Sequence, residues 1–132
     1  MVGMNVICHG IDLVDCKRVG QMVERHRERF LDRVFTAAEQ EYCQRQVKNV
    51  ERLAGRFAVK EAVMKMLGTG WQNGIAWTDI ETVNDPLGRP VVRLFGKVAQ
   101  MAADLGIEQV SVSITHTSDL AIASAIALGR DK

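Results

Sequence analysis

Apolar residues crowd positions 4 to 13 (MNVICHGIDL), a β-branched run with an internal glycine that predicts a first strand ending near Asp12. Beyond it the period lengthens. Val19, Val23, His26 and Phe30 recur at spacings of four, three and four, which predicts one face of a helix from Cys16 to about Phe30, with Asp15 placed to cap it. The other faces of that helix are rich in arginine. Thr36-Ala37-Ala38-Glu39 has the form of a capping box, so a second helix is expected from Ala37 through Tyr42 toward Gln46. A third, with Asn49 as its cap, runs to a stop at Gly68-Thr69-Gly70, and WQNGIAW then reads as a loop.

Asp79 to Asn84 and Pro90 to Leu94 flank the turn signal Asp85-Pro86-Leu87-Gly88 and predict a hairpin. Lys97 to Leu105 reads as a short helix ended by Gly106, Val110 to Thr115 alternates as a strand, and HTSD at 116 to 119 is turn-like. Leu120 to Leu128 makes the last strand. The order β-α-α-α-β-β-α-β-β is α+β, an antiparallel sheet with helices rather than a doubly wound parallel sheet. With no internal repeat or low-complexity linker, residues 1 to 132 are expected to form a single domain.

Composition narrows the class. A hydrophobic content of 47% with 25% charged residues is that of an ordinary globular protein with a real core. No apolar run approaches the roughly 18 residues that would span a bilayer, and the first residues lack a basic lead and a cleavage site, so an intracellular, cytoplasmic protein without a membrane partner is expected. Cys8, Cys16 and Cys43 show no zinc-binding or CxxC spacing and are expected to be reduced, packed thiols. A net charge of +1 excludes arguments from bulk electrostatics, so partners must be inferred from where the charges lie. Aromatics are only 5% and do not interleave with basic residues on a strand, which argues against nucleic acid.

The third helix, LAGRFAVKEAVMKML, is where the charges matter. At about 100° per residue its apolar side chains fall on every side, which predicts a central helix or one covered by another subunit. Arg56, Lys60, Glu61 and Lys65 are set into it. Glu61 and Lys65 share a stripe with Ala54 and Ala58 and read either as an i,i+4 pair worth about 0.2–0.5 kcal/mol or as buried charges that need a ligand. Asp12 is either a turn residue at a strand end or, if the strand abuts this helix, a second carboxylate beside Glu61. That pair would suit Mg²⁺, with Lys65 one turn on reaching a phosphate oxygen. Lys60, about 100° from Glu61, is expected to face solvent or a neighbouring subunit. Arg18, Arg25 and Arg29 line a stripe with Met22, either a solvated basic face or a dock for an acidic helical partner.

GIDLVDCKRV at 10–19, FTAAEQEYC at 35–43, LAGRFAVKEAVMKMLGTG at 53–70 and SITHT at 113–117, in this order and spacing, resemble the holo-[acyl-carrier-protein] synthases, the small type of 4'-phosphopantetheinyl transferase. The resemblance runs from about residue 6 to 128. It implies the transferase fold and Mg²⁺-dependent transfer of the phosphopantetheine arm of coenzyme A to a serine of apo acyl carrier protein, releasing adenosine 3',5'-bisphosphate, in fatty acid biosynthesis. It also implies a homotrimer with active sites between subunits, metal ligation by Asp12 and Glu61, and Lys65 at the pyrophosphate. Coenzyme A contacts would come from Arg56, Lys65, Gly68, His116 and Thr117, with His116 supplied by the adjacent subunit. Arg18 would receive the carrier protein; Met22, Arg25 and Arg29 extend that face by helical spacing.

One departure is His9, where many relatives carry Gly; it is expected to point away from Asp12 into the fold. The attacking serine needs a base, left open between a metal-bound water or hydroxide and one of the carboxylates. The rival reading is a non-enzymatic module that binds a nucleotide or an acidic partner. It accounts for the arginine stripe and not for an acidic pair coupled to Lys65 and Arg56 in apolar surroundings.

Overall fold

The computed structural model describes residues 3–68, 70–72 and 74–130. Strand β1, Asn5–Asp15, opens the fold and extends past the expected end at Asp12. Asp15 does cap the next helix, its Oδ1 accepting the Lys17 N–H at 2.9 Å. That helix is not continuous to Phe30. It divides at Arg27, whose φ of 37° separates α1, Cys16–His26, from α2, Glu28–Val34. Residues 24 to 29 (ERHRER) contain no apolar side chain and are all exposed, so nothing holds that turn against the core while Phe30 is drawn in beyond it.

Helix α3, Ala37–Gln44, starts at the expected capping box, with both reciprocal bonds between Thr36 and Glu39 formed. Helix α4, Asn49–Leu67, has Lys48 rather than Asn49 at its N-cap and no side-chain capping bond. It ends at Gly68 with a φ of 79°, a left-handed conformation that glycine adopts without strain; Thr69 of the expected stop lies outside the described residues. A single 3₁₀ turn, Trp77–Asp79, leads to the hairpin of β2, Ile80–Asn84, and β3, Pro90–Leu94. Helix α5, Gly96–Asp104, precedes β4, Ile107–His116, and β5, Leu120–Gly129. The architecture is α+β as expected, with one more helix because of the break at Arg27.

Strands β1, β5 and β4 form an antiparallel sheet in that order, and α4 lies across its inner face. Ala121, Ala123, Ala125 and Ala127 point inward from β5 and are fully buried, so small side chains let the helix come close. Gly10 shows how close: a Cβ there would stand 2.3 Å from the Ala62 carbonyl oxygen. Apolar positions on every side of α4 are buried, with Val50 and Phe57 half-buried, which bears out a central helix.

Lys60 is a correction. It is completely buried rather than facing solvent or a subunit. Its Nζ is 2.8 Å from Glu39 Oε1 and donates to the carbonyls of Trp77, at 3.1 Å, and Ile80. Glu39 also accepts the Thr36 and Thr82 backbone N–H groups, so one buried ion pair ties α3 and α4 to the start of β2. Burial pushes the Lys60 pKa down, against the opposing pull of Glu39.

The outer face of the sheet is uncovered. His9, Ile11 and Leu13 of β1 stand opposite Ile126, Ser124 and Ile122 of β5. Val6, Ile11 and Leu13 are 62%, 60% and 57% exposed. His9 therefore does point away from Asp12, but out of the fold rather than into it. Cys8, Cys16 and Cys43 are free thiols, as expected. Among the described residues no helix is long and apolar enough to cross a membrane.

Candidate active site

Strand alternation sorts Gly10-Ile11-Asp12 into three jobs. Gly10 makes the close crossing with α4, Ile11 turns to the outer face, and Asp12 turns inward against the helix beside Lys65. Lys65 Nζ lies 2.8 Å from Asp12 Oδ1 and donates to the Ile11 carbonyl at 3.3 Å. The ion pair of Lys65 is thus with Asp12, not the i,i+4 pair with Glu61. Its hydrogen bond to Asp12 raises the Lys65 pKa, and the Asp12 and Glu61 charges add to that.

Glu61 is half-buried on the same side of α4. Burial raises its pKa, the Asp12 charge raises it further, and the Trp71 indole and Lys65 pull it back down. Two carboxylates and a lysine therefore share one small site. Among the described residues no third acidic, histidine or cysteine side chain joins them. Such a donor set matches a hard cation that keeps waters and takes up phosphate oxygens, and does not match an all-protein cage.

A cleft of about 790 Å³ leads away from this site. It runs from Asp12 and Glu61 past Phe57 and Trp77 to Arg18, Met22 and Arg33. Arg18 and Met22 line this cleft together, one turn apart on α1. Arg25 and Arg29 are exposed and line none of this cleft, and the break at Arg27 puts Arg29 on a different helix from the other two. Arg33, four residues after Arg29, also lines the cleft; it lies past the expected helix end at Phe30 and was missed for that reason. Trp77 was also missed, since it lies in a segment that reads as a loop.

Arg56 and His116 belong to a different place. Arg56 is five residues before Glu61, about 140° round the helix. It is buried, with Nη2 donating to Asn84 Oδ1 at 2.6 Å and its guanidinium 4.3 Å from the centre of the Tyr42 ring. His116 Nδ1 lies 3.5 Å from Glu51 Oε2, not aligned as a hydrogen bond. Arg52, Arg56, Asn84 and His116 line a cavity of about 140 Å³, and none of them lines the cleft at Asp12 and Glu61. In that cavity Arg52 Nε, Arg56 Nε and His116 Nδ1 are buried with no hydrogen-bond partner. Three such nitrogens in one cavity suit an anion.

Gly68 is exposed at the end of α4, beside Glu61 and Lys65 in a third cavity of about 320 Å³. Thr117 is engaged in the β4–β5 turn, its Oγ1 accepting the N–H groups of Asp119 and Leu120, both at 3.1 Å. One chain thus brings Asp12, Glu61, Lys65, Arg18 and Met22 to one continuous region and leaves Arg56 and His116 in another.

The fold and the carboxylate pair define a class. Residues 9–124 match the family model described as the 4'-phosphopantetheinyl transferase superfamily, and the chain belongs to that family. Within it the chain is similar to the holo-[acyl-carrier-protein] synthases. It is 46% identical over 117 residues to the one from Koribacter versatilis, covering 89% of this chain and 94% of the relative. The crystal structure of the Neisseria meningitidis synthase superposes with a TM-score of 0.84 at 29% identity, covering 93% of this chain and 98% of that one. The Helicobacter pylori synthase, in complex with coenzyme A, superposes with a TM-score of 0.79 at 29% identity, covering 90% and 98%.

Proposed function

We propose that this chain, acting as one domain over residues 1 to 132, transfers the 4'-phosphopantetheine group of coenzyme A to a serine of apo acyl carrier protein. The observation that carries the reading is the convergence of Asp12, Glu61 and Lys65 at the end of a cleft whose far side presents Arg18, Arg33 and Met22. The serine oxygen forms a bond to the β-phosphorus, the bond from that phosphorus to the bridging oxygen breaks, and adenosine 3',5'-bisphosphate leaves with the bridging oxygen. The serine proton passes to a base, water or hydroxide at the site or one of the two carboxylates, and from there to solvent.

The residues present fit Mg²⁺. Asp12 and Glu61 would hold it, and when bound it supplies Lewis acidity and neutralises pyrophosphate charge. Lys65 brings a further positive charge to the same site and would hold phosphate oxygens. Phe57 and Trp77 line the cleft with apolar surface and keep water from the pantetheine arm. Arg18, Arg33 and Met22 offer an acidic carrier helix two cations around an adaptable apolar contact, with Arg25 and Arg29 outside the cleft available for its periphery.

Arg56 and His116 would bind another phosphate of coenzyme A, with the unpartnered nitrogens as its donors and Gly68 and Thr117 at the edges of the ligand. For one coenzyme A to reach both regions, the Arg56–His116 cavity of one subunit must face the Asp12–Glu61 cleft of the next. A homotrimer assembled through the exposed outer face of the sheet would provide this. That face carries Val6, Ile11, Leu13 and Ile126, and its outward-facing pairs His9–Ile126, Ile11–Ser124 and Leu13–Ile122 hold no carboxylate, lysine or arginine. The free thiols accord with a cytoplasmic setting, and the substrate places the reaction ahead of fatty acid synthesis.

Incubation with coenzyme A, Mg²⁺ and an apo acyl carrier protein, followed by mass spectrometry of the carrier, tests the reading. Addition of one phosphopantetheine to the carrier is expected. An unmodified carrier with bound coenzyme A would instead leave a nucleotide-binding module.

A further inference from the structure

We infer that Trp71 is a positioning residue for Glu61: its buried, unpartnered indole N–H is placed to take one carboxylate oxygen, so that Glu61 presents the other toward Asp12 and the cation. The inference rests on the reading of Asp12 and Glu61 as the cation pair.

Three observations carry it. First, Gly68 and Gly70, with φ of 79° and 65°, turn the chain back after α4, and Trp71 lines one cavity with Glu61, Met64 and Lys65. Second, the indole is clamped. Its ring lies 3.8 Å from that of Trp77, which in turn stacks at 5.1 Å on Phe57, one helical turn before Glu61. The stack ties Trp71 to the helix that carries the carboxylate. Third, Trp71 Nε1 is buried with no hydrogen-bond partner, an arrangement that is costly for a lone donor unless a nearby acceptor takes it up. The carboxylate that lines the same cavity as the indole is Glu61.

The chemistry supplies the reason. A glutamate beside a like-charged aspartate relaxes by swinging away, and a fixed donor on one oxygen prevents that. Outer partners of metal-binding side chains are worth about 10–100-fold in metal affinity.

Two measurements on the full-length protein decide the matter. In a ¹⁵N–¹H spectrum the two indole cross-peaks are assigned with Trp71→Phe, and Glu61→Ala is expected to shift the Trp71 peak further than that of Trp77. A Trp71 shift no larger than the Trp77 shift overturns the inference. At saturating coenzyme A and carrier, Trp71→Phe should raise the Mg²⁺ concentration for half-maximal rate about 10–100-fold. The maximal rate should stay within about threefold and the melting temperature should be unchanged. Loss of rate or stability with an unmoved Mg²⁺ dependence also overturns it. If Trp71→Phe does not fold, the Glu61→Ala spectrum, assigned against Trp77→Phe, decides alone. A wild-type protein that transfers equally well with Mg²⁺ chelated refutes the cation reading instead, while the spectrum still reports on the Trp71–Glu61 contact.

Discussion

Lys60→Met tests the buried ion pair that no surface argument reaches. Lys60 and Glu39 are both fully buried, 2.8 Å apart, and the lysine also satisfies two carbonyl oxygens. A thioether fills the space but leaves the Glu39 carboxylate without a countercharge, its remaining bonds being the N–H groups of Thr36 and Thr82. Removing one partner of a buried pair costs about 3–5 kcal/mol, a large part of a stability of roughly 5–15 kcal/mol. With an unfolding entropy of about 2.1 cal/mol/K per residue, 132 residues lose about 11–18 °C in Tm. Thermal melts at one fixed protein concentration read this directly, since the proposed subunit assembly would also contribute to Tm. The Glu39→Gln background should recover about 2 kcal/mol or more of the loss, because a neutral amide no longer strands a charge. A Lys60→Met protein melting within about 3 °C of wild type, or an equal cost in both backgrounds, refutes the reasoning.

Asp12→Ala and Glu61→Ala should each abolish carrier modification while the melting temperature holds, and wild-type rates at limiting Mg²⁺ would remove the metal assignment. Arg18→Glu combined with Arg25→Glu should raise the KM for the carrier and leave coenzyme A binding intact, as read by steady-state kinetics and calorimetry. Ile126→Asp, at the centre of the exposed sheet face, should lower the mass seen by light scattering from trimer to monomer and take the transfer rate with it; an unchanged mass moves the interface elsewhere. Burial pushes the Cys43 thiol up to about 11. The unfolded chain therefore loses this proton first, so the contribution of Cys43 to stability is intact below its ordinary pKa of 9.0 and falls by about 3 kcal/mol as pH rises to about 11. Urea titrations at pH 8 and pH 11 should show that loss diminished in Cys43→Ala.

What the sequence determined was local and periodic. The capping box at Thr36, the hairpin around Asp85, the central character of the third helix and the glycine stop at 68 were all legible, because each depends on side chains a few residues apart. Asp12, Glu61 and Lys65 were grouped by the family resemblance; their spacing alone put Glu61 and Lys65 on one stripe and left Asp12 either a strand-end turn residue or a second carboxylate.

Tertiary structure decided what those faces meet. Lys60 and Glu61 are neighbours on one helix, yet one enters the core to pair with Glu39 and the other borders the cleft, a difference set by α3 and β2 packing beside α4. Lys65 pairs with Asp12 because Gly10 lets a strand more than fifty residues away in sequence press against the helix. Arg33 lies past the expected helix end, and Trp71 comes to the site through a glycine turn that leaves no period to read. The separation of Arg56 and His116 from the carboxylates follows from the same packing. Periodicity assigns a residue to a side of its own element; only contacts between distant segments assign that side to core, cleft or neighbour.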